Sequence, residues 1–493
     1  MNNESKLGLK IIGAAIVLGI FADILFIDRQ AGIGVPIWAL LLVGGSLFLI
    51  KKEKVDVMGD GKLLVLPMIF FATAFAWRDS DALTALNFLA LMTTIGLTAA
   101  TLRIGQLRVA GIARYMVEGI LSGLETAFGS FLLLFNIEWG QFKLGSWSKR
   151  LVSIGIGLLI ATPILIVFGA LLASADATFS SMLKGIFNIN SPDWFRHIPI
   201  IMFVSWLLAG LLRKAFLANN PIPATVQLPF EFKLGITEMG IVLGSLNLLF
   251  LTFVIVQFKY FFGGAARVAN LNGLTYADYA RSGFFELVTV TALVLPLLLV
   301  AHWLLRKGNK THEYIFRGLA ISLIALLSVI MVSAFQRMRL YQQEYGMTEL
   351  RLYVTAFMIW MAILFVLFGY TVLRGQRERF AFGALISGLA MVVVLNVINP
   401  DAMIVRINAE RARNGKQIDA DYITSLSADS IPALMEAMPG ISEPARQKAA
   451  NKVIHDWSER GDPGWRSWNW SRSNARKLAS ENQEMLLVVA KKK

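Results

Sequence analysis

Cysteine is absent from the 493-residue chain. That removes disulfides, thiolate metal sites and a cysteine nucleophile, and it leaves the redox compartment open. Histidine is scarce too: four residues, dispersed and without a His-Glu-x-x-His pair, give metal catalysis little support. Only 16% of residues are charged while 56% are hydrophobic, and the mean hydropathy of +0.60 is far from that of a soluble chain. A phosphate loop, a Rossmann glycine turn and a Ser-His-Asp order are all missing, so no cofactor is expected.

What is present is a succession of apolar runs of about eighteen residues or more. Hydrocarbon offers no water to satisfy backbone groups, so such runs must be helices. The chain therefore reads as an all-α polytopic membrane protein. A net charge of +14 would point a soluble protein towards nucleic acid. Here the Lys and Arg residues sit in short clusters between apolar runs, the pattern that sets topology. The partner this implies is the lipid bilayer, not nucleic acid.

The run Leu9–Ile27 follows a basic start and has no small-residue cleavage site before Asp23, so it is read as an uncleaved first span. Lys51, Lys52, Lys54 and Lys62, after a second span at Ile33–Ile50, mark the cytoplasmic side. Spans three and four, Leu63–Trp77 and Ala82–Thr101, form a hairpin about Arg78–Asp81. Tyr115–Phe135 carries Glu118 and Glu125 on one face and is read as re-entrant or interfacial. The clusters at Lys149-Arg150, Arg213-Lys214, Arg306-Lys307-Lys310 and Arg374-Arg377-Arg379 share a side only if it does not cross. Seven further spans (Leu151–Leu172, Ile198–Leu212, Ile236–Phe262, Phe284–Leu305, Gly318–Phe335, Leu352–Val372 and Phe380–Val397) bring the expected number to about 11, or 12 if Tyr115–Phe135 spans.

The expected division is an N-terminal membrane region at 1–150, a core membrane domain at 151–398, and a soluble helical extension at 399–493. With eleven crossings and a cytoplasmic amino terminus, the extension lies outside the plasma membrane. Within it, Ser442-Glu443-Pro444 marks a helix start, with the helix expected to reach about Arg460. Gly464–Arg472 alternates Trp with polar residues and suits docking on the membrane mouth or pairing as a strand.

Charge concentrates in Phe335–Tyr353, which holds three Arg, two Glu and three Tyr between two apolar runs. The connection between spans seven and eight repeats the ingredients: Gly, an aliphatic residue, Thr, then a helix with Tyr and Arg. Thr275 and Thr348 are placed to cap those helices. Parity puts both hairpins and Asp176 on the outer side. The candidate ligand-binding residues of a common vestibule are thus Asp176, Lys259, Tyr260, Asp278, Tyr279, Arg281, Glu286, Arg337, Arg339, Tyr341, Glu344, Tyr345 and Arg351. Ionisable groups near hydrocarbon pair or line water, so a structural ion-pair lattice at the helix ends is the competing reading. Asn247 is expected to bond a neighbouring helix, and His302 to be packed or at headgroup level.

These residues also carry a resemblance. Ala175-Asp176 with Phe179, Gly273-Leu274-Thr275 to Arg281 with Gly283–Leu287, Arg337–Tyr341 with Tyr345–Tyr353, Asn399-Pro400-Asp401 and Trp465–Asn469 resemble a bacterial polytopic membrane family, domain of unknown function 4173, related to 4153. The resemblance runs from about span five onwards and implies an integral membrane protein with no assigned reaction. Three functions remain open. The first is an outward-facing vestibule that binds an envelope ligand or protein partner in sensing or homeostasis, without chemistry. The second is a secondary transporter of an anionic small molecule. The third is a lipid-directed transferase using Asp176 or Glu286 as base and the arginines as a phosphate clamp.

Overall fold

A computed structural model of the protein describes residues 3–137 apart from 104, 109 and 110, scattered positions between 154 and 169, and residues 171–186, 194–217, 234–261, 284–306, 310–458 and 464–491. The side chains of Glu118, Lys259 and Tyr260 lie outside this description. Among the described residues, ten helices are long and apolar enough to cross a bilayer. Among the described residues the only extended pairing is the single bridge Leu234–Leu305. The chain is an all-α, multi-pass membrane protein. It forms two compact units: Met1–Ala224 with Gly461–Asn474, and Thr225–Arg460 with Ala475–Lys493.

The first unit contains α1 (Asn3–Phe26), α2 (Gly34–Glu53), α3 (Val65–Trp77), α4 (Asp81–Thr101), α5 (Ile112–Asn136), α6 (Ala177–Ile186) and α7 (Trp194–Phe216). α1 and α5 pack along α7. Trp206 of α7 donates its indole N–H to the Ala127 carbonyl at 2.7 Å, and a Cβ on Gly210 would collide with the Thr126 carbonyl. Small residues at such a crossing let two backbones meet. Lys214 is nearly buried and pairs with Glu125 at 3.1 Å. Glu125 therefore faces a cation from another helix. α5 is not among the ten long spans; its apolar part is Gly119–Phe135. Most of the fifth expected span, 151–172, falls outside the described residues.

The tryptophan-rich segment docks on this unit and does not pair as a strand. Ile33 N–H donates to the Trp468 carbonyl at 2.8 Å. Asn469 Nδ2 donates to the carbonyls of Phe75 and Arg78 at 2.9 and 2.8 Å. Arg472 pairs with Asp79 at 2.8 Å and donates to the carbonyls of Ala31 and Ser467. The turns α1–α2 and α3–α4 thereby gain partners for carbonyls that helix ends leave open. A Cβ on Gly32 would sit 2.5 Å from the Trp468 carbonyl, so glycine is what permits the approach.

The second unit contains α8 (Ile236–Phe261), α9 (Phe284–Leu304), α10 (Lys310–Tyr345), α11 (Glu349–Thr371) and α12 (Phe380–Ile398), followed by α13 (Pro400–Arg413), α14 (Ala420–Ser425), α15 (Ile431–Ala437) and α16 (Glu443–Val453). α17 (Trp470–Glu481) and α18 (Gln483–Lys491) end the chain, with α18 packed on α16. α10 packs against α8, α9 and α11. Asn247 behaves as its position in a span requires, donating to the Leu319 carbonyl of α10 at 3.0 Å as well as to Leu243 of its own helix. α16 begins at Glu443 as expected, but Ser442 makes no side-chain cap. The helix passes into a π turn at Ile454–Ser458, and Arg460 lies outside the described residues.

Candidate functional site

α10 is 36 residues long, or roughly 54 Å at 1.5 Å per residue. A bilayer core is about 30 Å thick, so a good part of the helix stands beyond the hydrocarbon. The projecting end is the Arg- and Tyr-rich stretch that ends at Tyr345. Gly346, with φ +80°, stops the helix in the left-handed conformation. Three residues later the chain re-enters a helix at Glu349.

This turn is held by the extension. Asn408 of α13 grips Met347 by both backbone groups: its Oδ1 accepts the amide N–H and its Nδ2 donates to the carbonyl, each at 2.8 Å. Arg411, one turn on, donates to the carbonyls of Gln343 and Glu344 at 3.1 and 2.7 Å. It thus supplies a cation and donors to the carbonyl end of α10. Tyr422 of α14 accepts the Glu349 N–H at 2.7 Å, and Lys416 pairs with Glu344 at 3.1 Å. Within the turn, Arg351 donates to the Gly346 carbonyl and lies over the Tyr341 ring at 4.1 Å. Tyr341 in turn meets Tyr345 at 5.1 Å between ring centroids.

Below the clamp, the sequence Asn399-Pro400-Asp401 starts α13 in the manner its residue types require. Asn399, at φ +57°, caps with its Oδ1 on Ala402 N–H, and Pro400 occupies the first turn. Asp401 is buried. Its Oδ2 accepts from Ser427 N–H at 3.2 Å and Ser427 Oγ at 2.5 Å, while Oδ1 has no hydrogen-bond partner among the described residues. Burial pushes the carboxyl up to about 6; Ser427 opposes this, and Glu349 and Asp429 add to it. Burial also raises the Tyr422 phenol and lowers the Arg411 guanidinium, the latter against the pull of Glu344.

The expected site residues fare differently. Arg337 is buried and Arg339 exposed, while Tyr341, Glu344, Tyr345 and Arg351 meet in the clamp. Glu286 is exposed in the first turn of α9. Asp176 belongs to the first unit, where it is exposed and caps α6 by accepting the Phe179 N–H at 2.6 Å. Lys259 and Tyr260 lie on the last turn of α8, and Asp278, Tyr279, Arg281 and Thr275 fall outside the described residues. Thr348 occupies the cap position without a side-chain bond; the first amide of α11 is instead taken by Tyr422. Asn408, Arg411, Lys416, Tyr422 and Ser427 escape a sequence reading because they lie in the polar extension more than fifty residues from the turn, on α13, on α14 and in the connections after each. The spacing Asn-x-x-Arg on α13 marks Asn408 and Arg411, and no local signal marks the other three.

The family model for DUF4153, a domain of unknown function, matches residues 65–437. The chain belongs to the DUF4153 family. The matched region starts where α3 starts and ends where α15 ends. It thus takes in spans three and four, where the motif resemblance shows only hydrophobicity, and stops before Trp465–Asn469. In this DUF4153 protein the clamp, from α10 through α14, lies wholly within the matched region. No curated protein and no solved structure matches the chain.

Proposed function

We propose that this protein is a non-catalytic binding protein of the bacterial plasma membrane. Its amino terminus is cytoplasmic and its extension extracytoplasmic. The turn at Gly346–Glu349 is the element that responds to an envelope ligand or protein partner. The supporting observation is the double grip of Asn408 on Met347: a connection between two spans is held by a separate helical layer, so anything that displaces the layer releases α10 and α11 together. Cation clusters at the end away from the extension, at Lys10, Lys51, Lys52 and Arg103 in one unit and at Arg306, Lys310, Arg374 and Arg379 in the other, also support the orientation. The motifs that resemble domain of unknown function 4173 fall on this turn and on Asn399–Asp401, and that kinship is part of the proposal.

A secondary transporter of an anionic small molecule is the second reading, favoured by Arg337, Arg339 and Arg351 at one rim. Transporter sites lie near the midplane on broken helices, whereas Arg351 is occupied by Gly346 and Tyr341. The test is a photoreactive residue at Tyr345, which is 53% exposed, in the full-length protein in intact cells, with Val366, 72% exposed in the span α11, as the lipid-facing control. A defined envelope adduct at position 345 that changes with Asn408→Ala supports the reading. The same lipid adducts at both positions contradict it, and anion uptake into proteoliposomes favours transport.

A further inference from the structure

At the other end of the second unit, where α9 and α11 finish and α10 and α12 begin, lies a cavity of about 160 Å³. Its polar wall is His302, Glu313, Arg317 and Arg377, and its apolar wall includes Phe316 and Leu373. The charge on the wall does not balance. Glu313 is engaged by Arg317 at 3.6 Å, one helical turn away. Arg377, half-buried, makes no ion pair among the described residues. The imidazole of His302 in the same wall is tilted against Phe316, 5.4 Å between ring centroids. Phe316 and Leu373 are buried, and a dry wall strengthens any charge-assisted bond made beside it.

We propose that this cavity binds a phosphate ester. The guanidinium fork of Arg377 presents the planar donor pair that matches phosphate oxygens, and Arg317 adds a second guanidinium to the wall while it also holds the one carboxylate, Glu313. A cavity of about 150 Å³ admits a benzene-sized guest, so a phosphate or phosphodiester headgroup fits while a nucleotide does not. The rim also carries Arg306, Lys310, Arg374 and Arg379, which draw anions to the opening. By the positive-inside rule this end faces the cytoplasmic leaflet, where anionic lipids concentrate. The same chemistry is met by the headgroup of an anionic phospholipid or by free phosphate.

The test uses the full-length protein purified in detergent. Retention of phosphatidylglycerol and phosphatidylcholine is read by native mass spectrometry, and thermal midpoints are read with each lipid and with inorganic phosphate. Wild type retains phosphatidylglycerol over phosphatidylcholine and is stabilised by it. Arg377→Gln lowers retention roughly tenfold, as the loss of one charge-assisted bond implies. Arg317→Gln/Arg377→Gln abolishes the preference, Arg377→Lys is intermediate, and Arg406→Gln at the far end of the unit has no effect. Stabilisation by inorganic phosphate alone, lost in Arg377→Gln, assigns the site to free phosphate. If neither ligand stabilises wild type, or if Arg377→Gln behaves as wild type with both, the proposal is overturned. The wild-type arm stands even if a variant fails to fold.

Discussion

Asn408 holds Met347 from both sides, its amide oxygen on the N–H and its amide nitrogen on the carbonyl, at 2.8 Å each. Met347 is buried, so neither of its backbone groups has water as a substitute. Asn408→Ala leaves both unsatisfied and costs about 2–4 kcal/mol. Asn408→Asp keeps the acceptor, loses the donor and falls between. Thermal unfolding in detergent checks the order wild type, Asp, Ala.

Gly346 is required twice, by its φ of +80° and by its neighbours. An added Cβ would collide with Asn408 Oδ1 and lie 2.6 Å from Arg411 Nη1. Gly346→Ala is expected to destabilise by roughly 1–3 kcal/mol and to loosen the same turn as Asn408→Ala. Combining the two should cost less than their sum, because they break one contact.

The legible part of this fold was the part that lipid dictates. Apolar length gives about eleven expected spans, because no other structure satisfies a backbone in hydrocarbon; the described residues hold ten of them, most of 151–172 lying outside the description, and Asn247 had to find a helix partner. The turn was legible as an excess of Arg, Glu and Tyr over what a tether needs. Its clamp was not: the local rule has Thr348 accept from the second or third amide of α11, yet Thr348 makes no such bond, and the Glu349 amide goes to a tyrosine from a remote helix. The Gly464–Arg472 segment was legible as either a docking element or a paired strand; its receptors are backbone carbonyls at Ala31, Phe75 and Arg78, and carbonyls carry no sequence signature that would decide between the two.

Asp401 makes stability depend on pH. Its folded carboxyl sits at about 6 against an ordinary 3.8, so the folded state holds more protons than the unfolded one between those values. Stability therefore falls as pH rises from about 4 to about 6 and then levels, by about 3 kcal/mol if this group acts alone. Asp401→Asn offers the Ser427 donors an acceptor and cannot ionise, so it should flatten that slope and raise stability above pH 6. Thermal midpoints across pH 4–8 for the two proteins read this directly.

In the first unit, Glu125 is the counter-charge of nearly buried Lys214 at 3.1 Å. Glu125→Gln strands that ammonium and costs roughly 3 kcal/mol. Lys214→Met in the same chain should recover most of the loss, which thermal unfolding of the single and double variants measures.

Arg472 gathers the Asp79 carboxylate and the Ala31 and Ser467 carbonyls into one contact. Arg472→Ala is expected to speed amide hydrogen exchange in the turns Ile27–Ile33 and Arg78–Asp81 by tenfold or more while leaving α8–α12 unchanged. Equal acceleration in both units would show that the segment does not act locally.

The claim that an outer helical layer straps the α10–α11 turn is tested most directly with two cysteines in this cysteine-free chain. Glu344→Cys and Lys416→Cys replace an exposed ion pair. A short, membrane-impermeant bismaleimide should join them in intact spheroplasts, giving a cross-linked peptide pair whose yield drops with Asn408→Ala. Single-cysteine labelling at both positions with no cross-link, or a cross-link that forms only after the membrane is opened, would contradict it.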